Sequence, residues 1–379
     1  MFRQILSPQG QAALEAAAAL HPQEADFLRH FDRLSRRFER ELAREALSIA
    51  ILRVSRGATG KFGDDAEKMY FTREALEQAS SNEVSSWRAR RYRPFDTVVD
   101  LGCSIGGDTL SLARRSPSGS AAATIGVDND AVRLAMSAAN TRALGLEDRT
   151  SFVAADLTSP LPFTAGADTA LFFDPGRRAG ERRARSVSAY HPPLEVVRGW
   201  LPGWPALGVK LSPVVRAREV ARYDAELEFI SFEGELKEAV LWFGPLSGGH
   251  AENRATVLPG GHTMSGAPDH STSAITPRIS KPLGWLYEPD PAVIRAGLVR
   301  GLGAELDAAQ IDPDIAFLTA DDRLETPFAR AIEIEDWMPF QLKKLRAHLR
   351  DRGVGKVTVK KRGSPVDAER LARDLSNEG

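Results

Sequence analysis

The chain has 379 residues, 42% hydrophobic and 27% charged, with a formal net charge of -1. Domains of about 100–200 residues are usual, so two or three are expected in a soluble globular protein. The near-neutral total excludes a global field for polyanions or membranes, and the single Cys103 excludes an intrachain disulfide or a cysteine-rich zinc site.

Met1 to Ser7 hold no signal-like apolar run, and no stretch reaches the ~20 apolar residues of a membrane span, so a cytoplasmic chain without membrane contact is expected. Residues 1–91 read as a helical N-terminal region, with Leu14, Ala18, Phe27, Phe31, Leu34, Leu42 and Leu47 near helical spacing. A further helix is expected over Arg73 to Arg90, capped by Thr72 and ending in the basic run Arg88, Arg90, Arg91 and Arg93.

At Phe95 the pattern changes. Thr97 to Leu101 is a buried-strand run, followed by strand candidates at Ala122 to Val127, Ser151 to Ala154, Thr169 to Phe173 and Ala206 to Leu211. Helical stretches at Thr109 to Arg115, Asn129 to Leu144 and Pro193 to Leu201 separate them, which predicts an α/β doubly wound, Rossmann-like parallel sheet over residues 92–247. Leu227 to Phe232 and Ala239 to Phe243 suit an antiparallel hairpin, a reversed pair at the sheet edge. Gly248 to Ser280 reads mostly as an irregular connector, with one short apolar run at Ala255 to Leu258. Beyond it a helix is expected at Pro291 to Gly301. The last unit runs strand (Ala331 to Ile334), helix (Pro339 to Arg352), strand (Val354 to Lys360) and helix (Asp367 to Leu375).

The first strand empties into Gly102-Cys103-Ser104-Ile105-Gly106-Gly107 and then a helix. Glycines suit a turn whose backbone lies against a ligand, and helix N-terminal N–H groups bind its anionic parts. Asp128 ends the second strand, where a carboxylate can accept both ribose hydroxyls, and Asp156 follows the third, within reach of an adenine amino group. Either acid alone is an ordinary helix N-cap; the ordered set points to a nucleoside ligand. Cys103 reads as a packed small side chain. The seven histidines lack ligand spacing, so no catalytic metal is expected.

On these residues the chain resembles the class I S-adenosylmethionine-dependent methyltransferases. The resemblance implies S-adenosylmethionine as cofactor. It sets Asp100, Gly102, Ser104 and Gly106 at the methionine part, Asp128 with Asn129 at the ribose, and Asp156 with Leu157 at the adenine. Ser104 departs from the glycine spacing. The fourth strand ends in Asp174-Pro175-Gly176-Arg177-Arg178, which resembles the Asp/Asn-Pro-Pro signature of methyltransferases acting on planar or exocyclic nitrogens. A conjugated amino group is a poor nucleophile. An acceptor at Asp174 and a backbone carbonyl freed by Pro175 can orient its lone pair, so the contribution is positioning and electrostatics. Gly176 and Arg177 replace the second proline and the aromatic; Arg177 suits stacking on a base or holding a phosphate.

The core and its helical extension resemble the trimethylguanosine synthase-like RNA methyltransferases. Val357 to Gly363, a strand running into a basic turn, resembles a THUMP-like domain (residues 326–379) preceded by a connector and small ferredoxin-like domain (residues 248–325). That implies small α+β C-terminal domains and RNA, tRNA or rRNA, as partner, with Lys360, Lys361, Arg362, Arg177 and Arg178 as candidate contacts. The Arg88 to Arg93 run could add another. The expectation is methylation of a base nitrogen in structured RNA; a small-molecule methyltransferase and an inactive RNA-binding protein that keeps the fold are the alternatives.

Overall fold

The computed structural model describes residues 2–115, 122–166, 168–176, 178–179, 182–183, 187–248, 252–271, 275–361 and 363–376. The chain divides into two units, Met1–Gly261 and His262–Gly379.

The first unit is built on β1 (Thr97–Leu101), β2 (Ala123–Asp128), β3 (Thr150–Ala154), β4 (Thr169–Phe173), β5 (Leu207–Leu211), β6 (Glu226–Phe232), β7 (Glu235–Trp242) and β8 (Asn253–Leu258). Their order is β8-β6-β7-β5-β4-β1-β2-β3. β1 runs parallel between β2 and β4, with Val99 opposite both Ile125 and Leu171. Consecutive strands therefore leave β1 in opposite directions, and the crevice at the carboxyl ends of such strands is where α/β sheets bind ligands. The amino ends are fastened by Arg115, whose guanidinium donates to the carbonyls of Phe95 (3.0 Å), Asp96 (2.8 Å) and Ala123 (3.1 Å).

The expected hairpin forms from β6 and β7 through Glu233-Gly234, whose φ values of 51° and 76° are those of a tight type I′ turn. It is not a reversed edge pair. β6 lies two places out from β5, and β7 folds back into the gap between them, antiparallel to both. Among these eight strands only β7 is reversed, and β8 continues the sheet parallel to β6. The short apolar run Ala255 to Leu258, noted within the expected connector, is thus part of a strand. Flanked on both sides, β7 buries Val240, Leu241 and Trp242.

The N-terminal region is helical, chiefly Pro8–Ala18, Phe27–Leu34, Arg40–Arg53, Arg56–Phe62, Arg73–Gln78 and Asn82–Ala89. The single helix expected over Arg73 to Arg90 is two. Thr72 and Ser81 each cap a separate start, and the Lys61 ammonium closes the first by donating to the carbonyls of Leu76 (2.7 Å), Glu77 (3.0 Å) and Ala79 (2.7 Å). Leu14, Leu47, Phe62 and Phe71 share one apolar cluster with Leu110 of helix Gly107–Ala113 and with Met136 and Ala139 of helix Ala131–Ala143. Asn140, fully buried, fastens this region to the sheet: it accepts from the Tyr70 N–H (2.6 Å) and donates to the carbonyls of Tyr70 (3.1 Å) and Ile105 (2.9 Å).

The second unit opens with β9 (His262–Gly266) and holds an antiparallel sheet of β10 (Trp285–Pro289), β11 (Ala309–Asp312), β12 (Ile315–Ala320) and β13 (Ala329–Glu333) in the order β11-β12-β10-β13. Helices Pro291–Ala296 and Val299–Glu305 replace the single one expected from Pro291 to Gly301; Gly297, left-handed at φ 69°, ends the first. Tyr287, Val293, Leu302 and Leu318 form the buried centre. Helices Leu342–Asp351 and Ala368–Leu375 follow, but Val354 to Lys360, expected as a strand, is irregular. Its Val-Thr-Val alternation finds no ladder partner among the described residues, and a strand exists only by pairing.

Candidate functional site

At the carboxyl end of β1 the chain makes a tight turn through Gly102 (φ 83°), Ser104 (φ 50°) and Gly106 (φ 87°) into helix Gly107–Ala113. A Cβ on Gly102 would lie 2.7 Å from the Asp174 carbonyl oxygen, and one on Gly106 would lie 2.3 Å from Ser137 Oγ. A side chain at either position requires its neighbour to move. Asp128, at the end of β2, braces the turn by accepting the Ser104 N–H at Oδ2 (2.9 Å) and the Asp130 N–H at Oδ1 (2.9 Å). Asp156, exposed beyond β3, accepts from the Thr158 N–H (2.9 Å) and hydroxyl (2.8 Å), which hold its carboxyl below the usual range.

These groups face one cleft of about 1540 Å³ that Gly102, Ser104, Asp128, Asn129, Asp156, Leu157, Asp174 and Pro175 all line. Asp100 and Gly106 stand behind its wall. Asp100 is fully buried and accepts from the Thr109 hydroxyl (2.5 Å). Burial, reinforced by the nearby Asp108 charge, pushes its carboxyl up to about 8, so at neutral pH it is mainly the uncharged acid. Cys103 is buried in the same turn, and burial pushes its thiol up as well.

Across the cleft, the turn after β4 is held from two sides. The Asp174 N–H donates to the Leu101 carbonyl (3.0 Å), and Gly176 exchanges two backbone bonds of 2.9 Å with His191. Of the sequence Tyr190-His191-Pro192, the histidine and proline line the cleft. Tyr190 is buried, and its hydroxyl accepts the Ser212 N–H (2.9 Å) after β5. Arg177 and Arg362 lie outside the described residues, as does the side chain of Arg178.

Sequence reading missed a buried chain of charge beneath Asp174. Lys210 Nζ on β5 lies 2.7 Å from Asp174 Oδ2 and 3.8 Å from Asp108 Oδ2. Asp108 Oδ1 lies 2.6 Å from Arg88, which also contacts Glu238 on β7. The Arg88 guanidinium lies over the Phe172 ring, 4.6 Å from its centroid, and is buried. Of the Arg88 to Arg93 run, Arg88 is therefore internal and Arg91 half-buried. Arg91 pairs with Glu226 (2.7 Å) and Glu228 (3.1 Å), while Arg90, stacked on Trp87, and Arg93 are exposed. In the second unit Lys360 bonds Glu288, and Lys361 donates to the Val366 carbonyl (2.6 Å). Lys343, Lys344, Arg350 and Lys356 form no ion pair among the described residues.

Among the described residues no helix is long and apolar enough to cross a membrane, and no cluster of three or more His, Cys, Asp or Glu could hold a metal ion.

Residues 329–379 match the THUMP domain-like family, and residues 1–55 match a domain of unknown function, DUF8688. Over 331 residues the chain is 34% identical to an uncharacterised S-adenosylmethionine-dependent methyltransferase of Mycobacterium tuberculosis, covering 86% of this chain and 87% of that one. A stretch of 115 residues is 31% identical to the 23S rRNA (uracil(1939)-C(5))-methyltransferase RlmD of Acidithiobacillus ferrooxidans, 29% of this chain and 25% of that one. A crystal structure described as a methyltransferase from Porphyromonas gingivalis W83 has the same fold, with a TM-score of 0.77 at 19% identity over 97% of this chain and 93% of that one.

Proposed function

This chain belongs to the S-adenosylmethionine-dependent methyltransferases of class I, with S-adenosylmethionine as its cofactor, and we propose that it methylates a base nitrogen of structured RNA. The observation that carries the proposal is the meeting, in one cleft, of the Gly102 to Gly106 turn, the acids Asp128 and Asp156, and the Asp174-Pro175 turn.

The cleft suits the cofactor. Gly102 gives a backbone cradle that a Cβ would fill, and the buried Ser104 hydroxyl on its wall has no hydrogen-bond partner among the described residues. Asp128 and Asn129 would take the ribose hydroxyls, and Asp156 with Leu157 the adenine. Asp100 and Gly106 act from behind, shaping the turn. Bound there, S-adenosylmethionine supplies an electrophilic methyl group. Asp174, partly exposed to the cleft at 23%, would accept an N–H of the substrate and aim the nitrogen lone pair inward. Pro175 lines the cleft beside it.

Carbon-5 chemistry, the activity named for RlmD, is not proposed, because Cys103 is buried with a raised thiol and is the chain's one cysteine. RNA is favoured over a small molecule by the THUMP-like unit. Residues 342–361 carry eight Lys and Arg against one acid, Asp351. Such a patch on a near-neutral chain suits phosphate contacts, with Lys360 and Lys361 in it and Arg362, Arg177 and Arg178 as further candidates.

The test is methyl transfer from tritiated S-adenosylmethionine to total RNA of a strain lacking this protein. Wild type should label a discrete RNA, and Asp174→Ala should lower the rate about 10²–10³-fold, the usual effect of removing one transition-state contact. RNA binding should weaken steeply with salt, with the slope reduced by about 0.7–0.9 for each of Lys343→Ala and Lys344→Ala. Label in small metabolites alone, or salt-independent binding, would reject the RNA assignment.

A further inference from the structure

Lys210 is an unusual residue for its place. It is the fourth residue of β5, whose others are Leu207, Gly208, Val209 and Leu211, and it is 2% exposed at the floor of the cleft. A buried ammonium is tolerated only when well paired, and an apolar side chain would satisfy a central strand with less penalty. The strand register explains the pairing. Phe173 of β4 lies opposite Val209 of β5, so the next residues, Asp174 and Lys210, fall side by side as the strands end. Lys210 Nζ then donates to Asp174 Oδ2 at 2.7 Å.

The ammonium is itself held from the far side. Asp108 Oδ2 lies 3.8 Å away, and Asp108 is fixed by Arg88 at 2.6 Å. Arg88 in turn contacts Glu238 and donates to Ser80 Oγ at 2.9 Å. Three carboxylates and two cations thus brace one another behind the wall, and Asp174 is the member at the substrate end.

We infer that Lys210 is a positioning residue for methyl transfer, its ammonium fixing the Asp174 carboxylate against β5 so that the group is left to accept a hydrogen bond from the incoming nitrogen. The inference rests on the reading of Asp174 given above. It also narrows the substrate. A carboxylate held by a lysine offers lone pairs only, so the nitrogen facing it must carry a hydrogen, as exocyclic amino and ring imino groups do. A ring nitrogen bearing only a lone pair would be repelled.

Four proteins decide it: wild type, Lys210→Met, Lys210→Arg and Asp174→Ala, each assayed for S-adenosylmethionine affinity, thermal midpoint and transfer to RNA from a strain lacking the protein. Lys210→Met should keep cofactor affinity yet lose about 10²-fold in turnover, the cost of a misplaced reacting group. Lys210→Arg should recover part of it, because a cation returns to the same place. Turnover by Lys210→Met within threefold of wild type, while Asp174→Ala is inactive, overturns the inference and leaves the Asp174 reading standing. Equal activity of Asp174→Ala and wild type overturns both. A second measurement needs no substrate and no folded Lys210 variant other than as an assignment control. In protein carrying ¹⁵N at the lysine Nζ, the Lys210 ammonium should give a slowly exchanging NMR signal that moves in Asp174→Asn. A signal indifferent to Asp174→Asn overturns the inference whatever the RNA assay reports.

Discussion

Replacing Gly102 by alanine isolates the contact on which the cleft's two halves depend. Gly102 sits at φ 83°, where an L side chain costs about 1–2 kcal/mol. Its Cβ would also stand 2.7 Å from the Asp174 carbonyl oxygen, and overpacking of that kind adds about 1–3 kcal/mol. The expected loss is therefore about 2–5 kcal/mol by denaturant titration. Gly145 is the control: it has a similar φ of 69° with nothing within 4 Å of a built Cβ, so Gly145→Ala should lose only the first part. Relief at Gly102 must come from moving the Asp174 backbone or the turn itself. Calorimetric affinity for S-adenosylmethionine should then fall about tenfold or more in Gly102→Ala and stay unchanged in Gly145→Ala. Equal destabilisation of the two variants, or full cofactor affinity in Gly102→Ala, would refute the reasoning.

Arg88→Met strands Asp108 and Glu238 without their shared cation and should cost about 3–5 kcal/mol at neutral pH. That deficit should shrink as pH falls and the two acids protonate; a deficit independent of pH would count against the charge account. Asp100 titrates at about 8 in the fold against an ordinary 3.8, so between those values the folded state holds a proton that the unfolded chain has released. Stability of the wild type relative to Asp100→Asn should accordingly fall as pH rises from about 4 to about 8 and level off on either side; a flat difference rejects the burial effect. Asn140→Ala leaves the Tyr70 N–H and the Ile105 carbonyl unpaired and should cost about 1–3 kcal/mol for each buried group left unsatisfied. Hydrogen exchange at the Tyr70 amide should quicken, and an unchanged rate there would remove Asn140 as the fastening.

The strand-turn-helix at Thr97 to Gly107 and the acids Asp128 and Asp156 were legible because their signal is local: apolar run, glycines, then an acid at each strand end. Asp174 was legible for the same reason. Lys210, Asp108 and Glu238 were not, because each has an unremarkable neighbourhood and acquires its role only when strand order sets β5 beside β4 and β7 beside β5. Arg88 was misread in a different way. As one of several nearby arginines it suggested a solvated patch, whereas the helix Asn82–Ala89 turns it inward to Asp108. Helix Arg73 to Arg90 failed at Ser81, whose capping of a new start outweighed an otherwise continuous helical composition. The strand at Ala255 to Leu258 was hidden in a Gly- and Ser-rich context, and Val354 to Lys360 had strand composition without a neighbour to pair with.

The apolar cluster joining the first helices to Leu110, Met136 and Ala139 bears on how this protein can be cut. The catalytic fold does not own its outer wall. A boundary drawn at residue 91 would bare the inner faces of helices Gly107–Ala113 and Ala131–Ala143, the two that leave the Gly-rich turn and follow Asp128. The segment matching a domain of unknown function is therefore no detachable accessory. It packs with the helices of the methyltransferase sheet as one apolar cluster, so its removal alone should destabilise the unit Met1–Gly261.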